Sequence, residues 1–246
     1  MLIVNADDLG RLKTATNTTL ACYASKRITS TSAMVFMEDS ERAAELALVS
    51  GIDVGLHINL SERFTAGSVP AQLREYHDRI CRFLTRSKYA LLFYNPFLVK
   101  EFQFVFDAQF TEFIRLYGRP PSHFDGHQHM HLATNMLVQN IIPAGQKVRR
   151  NFSFRPGQKS LINRAYRVVV YRRLARRYRL TDFFFALSSN LERAKLQAIL
   201  ALSRTANVEL MTHTWNQSEF NWLMSKAYVD TMGDAGTDAG TMLKCQ

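Results

Sequence analysis

Four of the seven histidines crowd into nine residues, His123-Phe-Asp125-Gly-His127-Gln-His129-Met-His131. If that segment is extended, alternation sets Asp125, His127, His129 and His131 on one face; if it is helical, His127 and His131 form an i, i+4 pair. Either arrangement, joined by a carboxylate from elsewhere, makes a site for a divalent metal, and Asp125 is placed to orient an imidazole. A His-rich loop that holds nothing is the competing reading. The carboxylate is offered by Asp7 and Asp8, which follow the apolar run Leu2-Ile-Val-Asn-Ala6. Two adjacent carboxylates aimed at one buried pocket repel unless a cation joins them or one keeps a proton. One metal ligand and one general base would fit that need, although a turn or helix cap suits an Asp pair as well. His57 and Asn59 stand near the end of Asp53-Val-Gly-Leu-His-Ile-Asn-Leu60, and His213 follows Asn207-Val-Glu-Leu-Met-Thr212. Singly, each histidine reads as an ordinary core or surface residue. Beside a metal, His213 could pass a proton to a leaving amine.

These clusters share a position. Each lies at or just past the C-terminal end of a segment with strand character, the edge at which parallel α/β sheets bind ligands. Strands are predicted over residues 2–6, 29–35 and 53–60, from 123 onward, within 145–154, and over 207–212. In residues 53–60 alternation sends Val54, Leu56, Ile58 and Leu60 one way and Gly55, His57 and Asn59 the other. Helical spacing covers residues 14–26, 40–49 with Ser40 as N-cap, much of 71–117, a stretch from about 133, and 159–179. Strands alternating with helices predict an α/β architecture of mostly parallel strands.

The 246 residues are 47% hydrophobic and 21% charged, the composition of a globular protein rather than a disordered one. Cys22, Cys81 and Cys245 are odd in number and far apart, which gives no disulfide framework and points to a reducing compartment. No leader pattern and no apolar run of the ~20 residues that a membrane span needs are present, so a cytoplasmic protein is expected. The net charge of +10 is uneven: from Arg149 to Arg179 there is no acidic residue. Within 159–179, Leu161, Ile162, Ala165, Val168 and Val169 recur at near-helical spacing beside an arginine-rich face. That is either a packed helix with a solvated basic face or a surface for peripheral contact with anionic membrane. Nucleic acid is not expected, since no nucleic-acid motif accompanies the charge.

Taken jointly, five segments resemble the YdjC/ChbG-like carbohydrate deacetylases. They are Ile3-Val-Asn-Ala-Asp-Asp-Leu-Gly10, Ile28-Thr-Ser-Thr-Ser32, Gly55-Leu-His-Ile-Asn-Leu60, Pro121-Ser-His-Phe-Asp-Gly-His-Gln-His-Met-His131 and Glu209-Leu-Met-Thr-His213, in family order up to about residue 215. The resemblance implies a (β/α) barrel-like fold, distantly akin to the NodB-type polysaccharide deacetylases. It implies metal-dependent removal of an acetyl group from an N-acetylated sugar, either an oligosaccharide or a lipid-linked sugar. It implies one divalent ion, Mg²⁺ or Zn²⁺, on Asp8, His57 and His127, with Asp7 as general base and His213 as general acid. Asn59, Asp125, His129 and His131 are then left to orient ligands or meet substrate, and Arg149 matches a family arginine near the site. Thr214 stands where proline commonly follows the last histidine. Residues 1–232 read as one such domain, 233–246 as a flexible tail, and the family suggests a homo-oligomer. The alternatives are another metal-dependent amidase or phosphoesterase on the same rim, or a non-catalytic basic protein that binds membrane or nucleic acid.

Overall fold

Eight successive buried residues, Leu2–Leu9, form β1 at the middle of the sheet. A strand buried on both faces is what a continuous apolar run dictates when helices cover both sides. The computed structural model describes residues 1–154 and 160–232, except for the side chain of Ile162. The other strands are β2 (Ser30–Ala33), β3 (Asp53–Ile58), β4 (Phe124–Gly126), β5 (Phe183–Ala186) and β6 (Val208–Thr212). All the named pairings are parallel, in the order β4-β3-β2-β1-β6-β5. Parallel neighbours need crossovers, and the helices supply them: α1 (Lys13–Ala24), α2 (Ser40–Ser50), α3 (Ala71–Thr85), α4 (Val99–Tyr117), α5 (Thr134–Gln139), α6 (Leu161–Ala175) and α7 (Arg193–Ser203). Two more, α8 (Gln217–Met224) and α9 (Lys226–Met232), follow β6. The sheet curls as a half-barrel, and one buried cluster from Leu2 to Met232 packs between sheet and helices. Cys22 and Cys81 are buried free thiols. Among the described residues no helix is long and apolar enough to cross a membrane. The expected tail, 233–246, lies outside the described residues.

Several expectations need correction. No strand forms within residues 145–154; that segment instead bridges the two edge strands. Phe124 N–H donates to Lys147 O (2.8 Å), Arg149 N–H to Phe124 O (2.9 Å) and Ser153 N–H to Phe184 O (2.9 Å). It changes partner too often to make a ladder, yet it carries Arg149 into the gap between β4 and β5. In the histidine cluster, extended structure stops at Gly126, and neither the one-face nor the i, i+4 reading holds beyond it. Gln128 and His129 turn into the left-handed region (φ 51° and 59°) inside a short 3-10 segment, His127–Leu132. Asp39, not Ser40, takes the N-cap position of α2, and the Ser40 hydroxyl accepts from Met37 N–H (2.9 Å). In α6 the stripe Leu161, Val168, Val169 is exposed, and Val170 and Leu174 pack inward beside Leu132. Burial of that i, i+4 pair sets the helix phase.

Candidate metal centre and catalytic rim

The site begins with a defect in β1. Its register to β2 steps from Ala6↔Thr31 to Leu9↔Ala33, so one extra residue bulges out, and Asp8 has φ 72°. Successive side chains of a regular strand point to opposite faces; a bulge re-aims one of them. Asp7 and Asp8 can therefore both approach His57, which β3 delivers from two strands away. The left-handed conformation of a non-glycine residue is a local strain that the surrounding bonds must hold.

Asp8 Oδ1 lies 3.2 Å from His57 Nε2 and 2.9 Å from His127 Nδ1. These ligand atoms fall within 4.8 Å of one another, and all three residues are buried. Each imidazole is gripped on its other nitrogen: His57 Nδ1–H by Asp125 Oδ1 (2.7 Å) and His127 Nε2–H by Glu62 Oε2 (3.0 Å). A carboxylate behind an imidazole fixes the tautomer that turns a lone pair inward. A carboxylate oxygen and two inward nitrogens at these separations match ligands about 2.0–2.2 Å from one divalent ion. Asp7, His57 and Asp125 form a second close set. There the buried guanidinium of Arg149 already spans Asp7 Oδ1 and Oδ2 (2.7 and 2.6 Å) and Asp125 Oδ2 (2.8 Å), which repels a cation. Of the two sets, Asp8, His57 and His127 could better hold a cation, and Asp7 is engaged by Arg149.

The charges follow from this packing. Burial favours a neutral Asp7, but Arg149 and His57 together hold the carboxyl below its ordinary value. Asp8 is likewise penalised by burial, yet its bonds to His127 and His57 carry it well below the usual range. His57 pays a burial penalty too, and Asp125 with Asp7 and Asp8 pushes it up to about 10. His127 is raised against burial by Asp8 and Glu62. Carboxylates that raise both imidazoles make the site rich in negative charge, which a divalent cation would offset.

His213 follows β6 at the same rim. Its N–H donates to Glu219 Oε2 (3.0 Å), and Nδ1 faces Glu219 Oε1 at 3.8 Å. Burial opposes its charged form, but the bond to Glu219 together with the charges of Asp7, Asp8 and Glu219 raises the imidazole above its ordinary value. The next residue, Thr214, is buried and tied to α1 through Thr19 Oγ1 (2.8 Å) and Thr18 Oγ1 (3.1 Å). Hydroxyl bonds here hold the chain just past His213. His213 and both aspartates line a cavity of about 350 Å³, together with His57, His127, His129, Arg11 and Trp215.

Other expected residues are placed differently. His129 lines the cavity, with its ring against Phe152 (4.6 Å) and Phe184 (5.7 Å); burial pushes its pKa down to about 3, so it stays neutral. His131 turns away, and its Nε2–H donates to Arg149 O (3.0 Å). Asn59 does not reach the cavity. Its Nδ2 donates to Glu62 O (2.6 Å), and its Oδ1 accepts from Ser61 and Glu62 N–H, so it shapes the turn that presents Glu62.

Sequence reasoning passed over Glu62, Glu209 and Trp215. Glu209 Oε1 accepts from Arg149 Nε (2.6 Å), and burial raises its carboxyl to about 7. An acid inside the apolar run of β6 is itself a signal, since buried carboxylates need partners. Trp215 Nε1–H donates to Asp8 Oδ2 (2.9 Å). Glu62 and Trp215 lie on turns, where no periodicity marks them.

A family model described as YdjC-like protein matches residues 1–231. A chitooligosaccharide deacetylase of Serratia marcescens is 33% identical over 133 residues, which cover 54% of this chain and 51% of the relative. A carbohydrate deacetylase of Mus musculus is 32% identical over 132 residues, covering 53% of this chain and 43% of the relative. The chain thus matches about half the length of these curated relatives. A crystal structure from Enterococcus faecalis V583, described as a cellobiose-phosphate cleavage protein, superposes with a TM-score of 0.66 at 18% identity. That likeness covers 98% of this chain and 97% of the other, and shows the shared fold.

Proposed function

The chain belongs to the YdjC-like protein family, and from that premise we propose that its rim hydrolyses the acetamide of an N-acetylated sugar with a divalent metal. The observation that carries the reading is the division of labour in one bulge. Asp8 meets His57 and His127, while Asp7 is held off the metal ligands by Arg149. A helix cap needs no such division; hydrolysis by an activated water does. The deacetylase names of the relatives from Serratia marcescens and Mus musculus supply the substrate class.

A divalent ion on Asp8, His57 and His127 would supply a Lewis acid for the acetyl carbonyl and a lowered pKa for water. Asp7 accepts the proton of the attacking water, and Arg149 keeps its carboxylate ionised and aimed. Asp125 and Glu62 hold the two imidazoles in the tautomer that binds metal. His213, whose hold on its proton Glu219, Asp7 and Asp8 strengthen, gives that proton to the sugar amine as the C–N bond breaks. Trp215 fixes the second oxygen of Asp8. The cavity of about 350 Å³ is at the small end of ligand sites, in keeping with one sugar residue entering at a time.

Acetate release from chito-oligosaccharides and from N-acetylglucosaminyl lipids, with and without EDTA, tests the proposal. Release that EDTA stops and Mg²⁺ or Zn²⁺ restores supports it and identifies the sugar class. Release of phosphate rather than acetate from sugar phosphates would replace it with a phosphoesterase. Cytoplasmic residence and self-association belong to the same proposal, and fractionation and light scattering test them.

A further inference from the structure

A second and larger cavity, about 800 Å³, lies on the outer side of β5. Strand alternation sends Phe184 inward against Arg149 (5.0 Å) and turns Phe183 and Phe185 outward. Those two rings form its floor. Val168 and Tyr171 of α6 form one wall, and Ala201 and Leu202 of α7 the other. Three arginines, Arg150, Arg164 and Arg167, share this mostly apolar lining.

The hydrogen-bond acceptors of Arg150 and Arg167 are neutral, although the Asp182 charge also acts on Arg150. Arg150 donates to Asn151 O (3.3 Å) and to Asp182 O, and lies over the Tyr171 ring at 4.3 Å. Arg167 donates to Asn163 Oδ1 (2.7 Å) and Phe152 O (3.4 Å), over the Phe154 ring at 4.4 Å. The Arg164 guanidinium has no partner among the described residues. One carboxylate, Asp182, also lines the cavity, and its Oδ2 accepts from Asn207 N–H (2.8 Å). Burial lowers the pKa of both Arg150 and Arg167, a sign that their charge is under-compensated. Three cations that share an apolar cleft with a single carboxylate are stabilised by an anion with an apolar body. The outer surface of α6 continues the pattern, with Leu161 78% and Val169 66% exposed among arginines.

We propose that the cleft between α6 and α7 binds an anionic phospholipid, with an acyl chain on Phe183 and Phe185 and the phosphate on Arg164 and Arg167. Its volume lies within the roughly 300–1,000 Å³ of small-molecule sites. Apolar walls favour this ligand over free phosphate or nucleic acid, neither of which carries a chain to cover them. Bound there, the protein sits peripherally on an anionic membrane. The inference is independent of the deacetylase reading, because it uses no residue of the catalytic rim.

The test uses the full chain. Sedimentation is measured with vesicles of phosphatidylcholine alone and of equal parts phosphatidylcholine and phosphatidylglycerol, at low and high salt. Titrations with soluble dihexanoyl-phosphatidylglycerol, inorganic phosphate and a single-stranded oligonucleotide follow. The variants are Arg164→Glu and Ala201→Trp, both at exposed positions. The expected result is salt-sensitive binding to the anionic vesicles alone, and saturable binding of the soluble lipid. Each variant weakens both by about tenfold or more and leaves acetate release unchanged. The proposal is overturned if wild type ignores anionic vesicles at low salt, or if both variants bind like wild type. It also falls if phosphate or the oligonucleotide binds as tightly as the soluble phospholipid.

Discussion

Asp7 and Asp8 are adjacent, yet their substitution should fail in different ways from that of the histidines around them. Asp7→Asn keeps the shape and leaves Arg149 its bonds to Asp125 and Glu209. It removes the proton acceptor and one of the two oxygens that accept from Arg149, so turnover should fall by about 10²–10⁴-fold while calorimetry shows metal binding retained. His127→Ala should lose the metal itself. Loss of metal in Asp7→Asn would mean that Asp7 is a ligand and that the assignment of roles is wrong. A subtler effect belongs to Glu219. His213 is raised by Glu219, and a general acid works only while protonated, so activity falls as pH rises through the His213 pKa. Glu219→Gln removes its share of that support and leaves the charges of Asp7 and Asp8. The alkaline fall in kcat should therefore move to lower pH, while the acid limb stays in place. An unmoved alkaline limb would assign the proton donor elsewhere.

At the scale of elements, the site depends on how tightly β4 and the turn after it are packed. A Cβ built on Gly126 would lie 2.8 Å from His131 N and 3.0 Å from its Cβ and Nδ1. His131 cannot yield freely, since Nε2 is bound to Arg149 O. Gly126→Ala should cost about 1–3 kcal/mol in urea denaturation and weaken metal binding by displacing His127. Gly67→Ala, which meets nothing within 4 Å, should stay within about 0.5 kcal/mol. An equal effect of the two substitutions would show that the close approach at Gly126 is relaxed in solution. The same element explains what was legible in the sequence. Buried runs such as residues 2–6 and 53–60 announce their strands, because hydrophobic continuity is local. The bulge at Asp8 and the left-handed pair Gln128 and His129 have no local signature, since neighbouring strands and turns impose them. The four residues of β5 are too few to show a period, and the segment at 145–154 makes its bonds with two partners far apart in sequence. For the same reason Glu62 was invisible: its role exists only once β3 and β4 bring His127 beside its turn.

At the scale of the whole molecule, the metal-free fold gathers buried carboxylates of β1, β4 and β6 around Arg149 and His57. His57 has a folded pKa of about 10, above the ordinary 6.5. Its contribution to stability is therefore full below about pH 6.5 and is lost as pH rises toward 10. Asp7 and Asp8 are depressed, so their contribution is present above the ordinary carboxylate pKa of 3.8 and fails only in more acid solution. A metal competes with the protons on His57 and His127, which must leave before the nitrogens can bind it. Metal affinity should thus climb between pH 6.5 and 9, while the His57 contribution in the metal-free protein declines. The increase in thermal midpoint on adding a fixed excess of metal should be larger at pH 9 than at pH 7, because ligand stabilisation grows with [L]/Kd. Thermal melts of the EDTA-treated and metal-loaded chain across that range measure it directly. A metal-induced shift that is flat or shrinks with pH would show that protons do not occupy the proposed ligands, and would move the cation away from Asp8, His57 and His127.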